Sequence, residues 1–205
     1  MKVSRMPSTP KAVTLQQRSQ VFNGWLRVDR YTLSFEKFDG VMSAPVVREI
    51  VDRGHAVAVL PYDPATGKVL LIRQFLAGAY AAGVDPWPLQ TIAGMIDTSE
   101  NASDTALREA EEETGLKIPA GLLRPGPVYL VSPGAFTEIV HVFHVEIDLS
   151  DAGGVHGLAS ESEDIRSEIL HLDDALAELR NGSVPPSLTL VALLDLKLHL
   201  LSQVV

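Results

Sequence analysis

Apolar and polar residues alternate from residue 12 to 43, around Val13, Leu15, Val21, Trp25, Val28, Tyr31, Leu33 and Phe35. Asn23-Gly24 and Asp39-Gly40 punctuate the alternation, so this stretch predicts a short antiparallel meander. Residues 48–51 continue as strand, and Arg53-Gly54 turns the chain. Residues 55–62 and 69–75 then read as two apolar strands joined by the turn Pro64-Ala65-Thr66-Gly67. A loop over 81–88, carrying Gly83, Pro86 and Pro88, leads into a short strand at 89–93.

Past Gly94 the period becomes helical. Residues 102–114 are good helix formers without Pro or Gly. Gly115 suits a helix end, and Glu100 and Asp104 suit its positive start. Ala106, Ala110 and Thr114, with Leu107 beside them, form a packing stripe, whereas Glu109, Glu112 and Glu113 share one face at i, i+3 and i+4. Arg108, four residues before Glu112, is placed to hold that carboxylate.

Strands follow at 126–131 and 138–147, separated by Ser132-Pro133-Gly134. Residues 149–163 are Gly-rich and predict a long mobile loop, and 164–171 a strand. Asp173-Asp174 caps a helix that ends at Asn181-Gly182, and Ser187 caps a Leu-rich helix running to residue 203. Strands, an embedded helix, more strands and terminal helices predict an α/β fold, a mixed sheet sandwiched by helices. The expected boundaries are a mobile tail at 1–11, a small β appendage at 12–45 and the main domain at 46–205.

Charge narrows the function classes. The 205 residues carry 17 basic and 26 acidic side chains, a formal −9, which disfavours a nucleic-acid backbone as partner. No run approaches 18 apolar residues, so no membrane span is expected. The absence of cysteine excludes disulfides, thiolate metal sites and a Cys nucleophile, and fits a cytoplasmic location. Residues 1–28 hold Lys2, Arg5, Lys11, Arg18 and Arg27 without any acid, but Pro7 and Pro10 interrupt an amphipathic helix and no apolar signal core follows. His141 and His144 lack metal-ligand spacing and read as structural.

Stacked like charges cost a helix a few tenths of a kcal/mol per pair. A solvated acidic face is one reading of Glu109, Glu112 and Glu113. The other is a hard-cation site, for which clustered carboxylates suit Mg²⁺ or Mn²⁺.

The spacing separates these readings. Gly94, five residues, Glu100, seven residues, then Arg108-Glu109, Ala110, Glu112-Glu113, Gly115 and Leu116 resembles the signature of the Nudix hydrolases. Further stretches resemble the ADP-ribose pyrophosphatase subgroup. These are Arg48-Glu49-Ile50, Gly54-His55-Ala56, Asp85-Pro86-Trp87, Ile92 to Ile96, Ser132-Pro133-Gly134, His156-Gly157-Leu158 and Glu163 to Arg166, and the likeness covers roughly residues 22–200.

The resemblance implies an α/β/α sandwich and Mg²⁺-dependent hydrolysis of ADP-ribose to AMP and ribose 5-phosphate. It implies metal ligation by the Ala93 carbonyl, Glu109, Glu113 and Glu163, with Glu112 on the metal face and Glu161 as general base. Trp25 and Arg48 match groups at the adenine, contributed across a homodimer. Ser132, Pro133, Gly134 and Glu138 would line the ribose side, and Glu138 is the rival base. Leu76, Gln90 and Ile139 depart from the subgroup, where Arg, Glu and Arg are usual. These departures leave another nucleoside diphosphate sugar open as substrate. A non-catalytic ADP-ribose sensor is the reading from a different class.

Overall fold

A computed structural model describes residues 10–97, 99–181 and 184–203. The chain forms two compact units, one of residues up to Gly54 together with Ser132–Glu138, the other of His55–Val131 and Ile139–Val205.

The first unit is a three-stranded antiparallel sheet of β1 (Val13–Asn23), β2 (Arg27–Phe35) and β3 (Val46–Asp52), in that order. The expected meander is present. β3 joins it, with Arg27 opposite Asp52 and Leu33 opposite Val46, so this unit runs past the boundary expected after residue 45. Residues 132–138 attach to β3 through Val51, whose N–H donates to Ala135 (2.8 Å) and whose carbonyl accepts from the Thr137 N–H (3.1 Å). Every β1 residue is exposed.

The second unit holds β4 (Ala56–Asp63), β5 (Lys68–Arg73), β6 (Leu89–Gln90), β7 (Ile92–Met95), β8 (Leu123–Leu130), β9 (Ile139–Glu146), β10 (Gly154–His156) and β11 (Ile165–His171). The strand order is β10-β11-β5-β4-β9-β8, with β6 on β5 and β7 on β4. β4 and β9 run parallel and the other pairs antiparallel, so the sheet is mixed, as expected.

Successive side chains of a strand point to opposite faces, and β4 feeds two cores in this way. Ala56, Ala58, Leu60 and Tyr62 pack with Leu172, Ala175 and Leu176 of α3 (Leu172–Arg180) and Ala192, Leu193 and Leu196 of α4 (Ser187–Ser202). Val57 and Val59 pack with Ala106 and Ala110 of α2 (Ala102–Thr114). Burial on both faces explains why this strand is apolar at nearly every position. It also makes the unit the expected α/β/α sandwich.

Local expectations change, among them the Ser187 cap, since α4 begins at Ser187 itself with Pro186 at the cap position. A short helix, α1 (Ala77–Ala81), precedes the 81–88 loop. The stretch 149–163 is not loop throughout: β10 pairs with β11, Val155 opposite Arg166, and a single 3₁₀ turn covers Ala159–Glu161. Gly-rich composition favours loop locally, and only the neighbouring strand supplies partners for these peptide groups. α3 starts at Leu172 with Asp173 and Asp174 in its first turn, so neither is the cap. The expected end at Gly182 and the tail at residues 1–9 lie outside the described residues.

Candidate active site

α2 carries the site, and its ends are defined by short-range chemistry. The Asn101 side chain accepts from the N–H groups of Ser103 and Asp104, both at 3.0 Å, a cap worth about 1 kcal/mol. Gly115 closes the helix in the left-handed conformation at φ 69°, which a β-carbon would strain. The expected packing stripe is present: Ala106, Ala110 and Thr114 are buried, and Leu107 packs against the same core.

Arg108 gathers the helix acids. Its Nη1 donates to Glu109 Oε1 and Glu112 Oε2, each at 2.8 Å, and its Nε and Nη2 reach Glu100 at 3.2 and 3.1 Å. The contact to Glu112 is the one anticipated from spacing. Glu100 is more than a charge at the helix start, because it also accepts from Thr105 Oγ1 at 2.9 Å. Its carboxyl is held below the usual range by Arg108 first and Thr105 second. The Arg108 guanidinium is correspondingly raised, chiefly by Glu100.

Glu113 is 2% exposed, on the buried side of α2. Its Oε2 accepts from the Ala93 N–H at 2.9 Å and its Oε1 from Gln74 Nε2 at 3.2 Å. Burial pushes its carboxyl well up, and the charges of Glu109 and Glu163 add to the push. Burial likewise raises Glu109 from 4.5 to about 7, against the opposing pull of Arg108. Glu163 is half-buried, its Oε2 accepting from the Leu158 N–H at 3.1 Å.

Strand periodicity explains how these groups meet. Ile72, Ile92 and Ile165 share the core under α2. Two residues from each stand Gln74, Gly94 and Glu163, Gly94 within β7 and the other two just outside the ends of β5 and β11. Each row is apolar inside and carries its polar or small member to the carboxylates. Gln74, Glu100 and Asn101 went unrecognised as partners in the sequence. The signals were a polar residue extending a buried row, and a cap-type residue directly before a helix.

Among the described residues, no three His, Asp or Glu side chains are gathered tightly enough to form a ready-made metal cage. The expected ligands Glu109, Glu113 and Glu163 instead bond to protein donors. The donor set nevertheless fits a hard divalent cation. It is all oxygen, with Glu113 buried and Glu109 and Glu163 half-buried, and the carboxyls repel one another. The oxygens of Glu113 are met by neutral donors, so its charge is left to be balanced.

The remaining candidates make the following contacts. Glu161 is exposed at the end of its 3₁₀ turn, next to Ser162 at φ 59°. In the first unit, Trp25 is 83% exposed, with the Arg53 guanidinium 5.9 Å from its ring centre. Arg48 is exposed and donates to the Val47 carbonyl at 2.8 Å. Ser132, Pro133 and Gly134 are exposed in a turn, where the Ser132 carbonyl accepts from the Ala135 and Phe136 N–H groups. Glu138 is buried, 3.6 Å from Arg53 Nε. His144 meets Asp195 at 2.8 Å, on the face of the sheet covered by α4.

Comparison with known proteins agrees with this geometry. The NUDIX domain matches residues 52–189. The chain is 37% identical over 187 residues to an ADP-ribose pyrophosphatase of Escherichia coli (strain K12), covering 91% of this chain and 88% of that protein. It is 31% identical over 188 residues to a GDP-mannose pyrophosphatase of Yersinia enterocolitica, covering 89% and 94%. A crystal structure of an ADP compounds hydrolase superposes with TM-score 0.68 over 98% of both chains at 20% identity, which shows a shared fold. With a domain match over most of its length and the signature residues assembled around α2, the chain belongs to the Nudix family.

Proposed function

We propose that this protein hydrolyses the pyrophosphate of ADP-ribose to AMP and ribose 5-phosphate with Mg²⁺, Mn²⁺ being the alternative ion. The observation that carries the reading is the mutually repelling pair of buried Glu113 and half-buried Glu109 on a helix whose signature acids are all in place. The 37% identity to an ADP-ribose pyrophosphatase supports the substrate. The Ala93 carbonyl, Glu109, Glu113 and Glu163 would hold the cation, with Glu112 beside them. A bound Mg²⁺ supplies charge neutralisation to the pyrophosphate and acidity to a coordinated water.

The chain's own residues do the rest. Arg108 keeps Glu109 and Glu112 oriented, so the acids need little reorganisation when substrate arrives. Glu161, exposed on its turn, accepts the proton of the attacking water. Trp25 stacks on the adenine and Arg48 contacts the same base, both supplied by a second copy in a homodimer. Ser132, Pro133, Gly134 and Glu138 form the ribose side. We place the enzyme in the cytoplasm, in keeping with its cysteine-free sequence; among the described residues no helix is long and apolar enough to cross a membrane. The domain division proposed is a dimerising and substrate-contacting β unit and the hydrolase domain.

A second reading has its own observation. Leu76, Gln90 and Ile139 depart from the ADP-ribose subgroup, and a GDP-mannose pyrophosphatase is 31% identical, so another nucleoside diphosphate sugar is the alternative substrate. A panel of ADP-ribose, GDP-mannose and other nucleoside diphosphate sugars with Mg²⁺, read by product identity, decides. ADP-ribose should have the highest kcat/KM; turnover of a hexose derivative above it would reassign the substrate, and no turnover of any would favour a sensor.

A further inference from the structure

On β5 the side chains of Leu70 and Ile72 face α2, and Gln74 follows just past the end of the strand. Leu70 and Ile72 are fully buried in the core beneath that helix. Gln74 carries the row one residue beyond the last paired position, Arg73 opposite Leu89, and ends at the Glu113 carboxylate.

The contact is one half of a clamp. Gln74 Nε2 stands 3.2 Å from Oε1 and the Ala93 N–H 2.9 Å from Oε2. One donor for each oxygen fixes both the plane and the rotation of a carboxylate that is almost wholly buried. Both donors are neutral, in contrast to the Arg108 guanidinium that serves Glu100, Glu109 and Glu112. A Lys or Arg at position 74 would neutralise Glu113 and compete with a cation for it. An amide holds the geometry and leaves the negative charge available.

We infer that Gln74, which lies outside the signature, is a positioning residue that orients Glu113 for divalent-cation binding. The inference rests on the cation reading proposed above.

Mn²⁺ binding to the full-length protein, followed by electron paramagnetic resonance, tests it without recourse to activity. Gln74→Met keeps the length of the side chain and removes the donor. It should weaken Mn²⁺ binding by roughly 10–100-fold, the usual cost of losing a group that orients a metal ligand. Its metal-free melting temperature should stay near wild type, and kcat should recover at saturating Mn²⁺. Gln74→Ala, read in the same way, covers the case in which the Met variant does not fold. Wild-type Mn²⁺ affinity in a folded variant overturns the inference, and so does loss of fold in both variants, which would make Gln74 structural. No Mn²⁺ binding by the wild type would instead overturn the cation reading.

Discussion

Gly94 and Glu109 occupy the same space in turn: a β-carbon on Gly94 would stand 1.9 Å from Glu109 Cδ and Oε1. The glycine is required because β7 passes directly under the carboxylate. Its near neighbours on the row, Ile92 on β7 and Val57 opposite it on β4, are buried under α2, so the strand has no room to retreat. The end of the Glu109 side chain would move instead. Gly94→Ala should therefore keep the fold, while kcat falls by about 100-fold, as expected for a reactive group misplaced by an ångström. Thermal melting and steady-state kinetics on the same sample check this. Unchanged kcat would show that the position of Glu109 is not limiting.

The buried acids predict how stability depends on pH. In the metal-free protein Glu109 keeps its proton up to about 7, against 4.5 ordinarily, and burial moves Glu113 the same way. The folded state thus binds more protons than the unfolded chain between these values, so stability falls as pH rises through that window. For Glu109 alone the loss is on the order of 3 kcal/mol, complete above about pH 7. Mg²⁺ at a fixed concentration, a hundredfold above its Kd at pH 8, should restore about 2–3 kcal/mol there and less at pH 5, where protons compete for the acids. Melting temperatures with EDTA and with Mg²⁺ across pH 4.5–8 measure it; a metal-free stability that rises across this window would contradict the assignment.

If Trp25 reaches the active site of a second copy, a variant with weakened ADP-ribose binding and one without a cation ligand should repair one another. Trp25→Ala lacks the stacking group and Glu113→Gln lacks a cation ligand, so mixed dimers would contain one site with both intact. Activity should reappear after subunit exchange, verified by differently tagged chains. Verified exchange with no recovery would assign each site to a single chain.

Glu161 and Glu138 are distinguished by their surroundings. Glu161 is exposed and able to approach late, after substrate has bound, whereas Glu138 is buried and paired with Arg53. Glu161→Gln should lower kcat by about 10²–10⁴ with little change in KM, the range for losing a general base. Glu138→Gln should mainly raise KM. A kcat loss confined to Glu138→Gln would exchange their roles.

Local chemistry made α2 legible. Residues 102–114 lack breakers, Gly115 ends the run, and the spacing of Gly94, Glu100, Arg108, Glu109, Glu112 and Glu113 states the site in one stretch of chain. The twofold period likewise gave the antiparallel strands at 13–35, because half-buried and edge strands repeat every second residue. Pairing over distance was not legible. β10 lies in a Gly-rich stretch that takes its partner from β11, and β3 follows the N-terminal sheet because β2 offers it a register. The same limit applies within the site. The sequence placed three carboxylates on one helical face, but burial separates them: Glu113 goes beneath the helix to meet Gln74 and Ala93, while Glu112 stays at the Arg108 clamp. A helical repeat fixes which residues share a face. Which of them is buried depends on strands remote in the sequence, and that was decided by the packing of the sheet beneath α2.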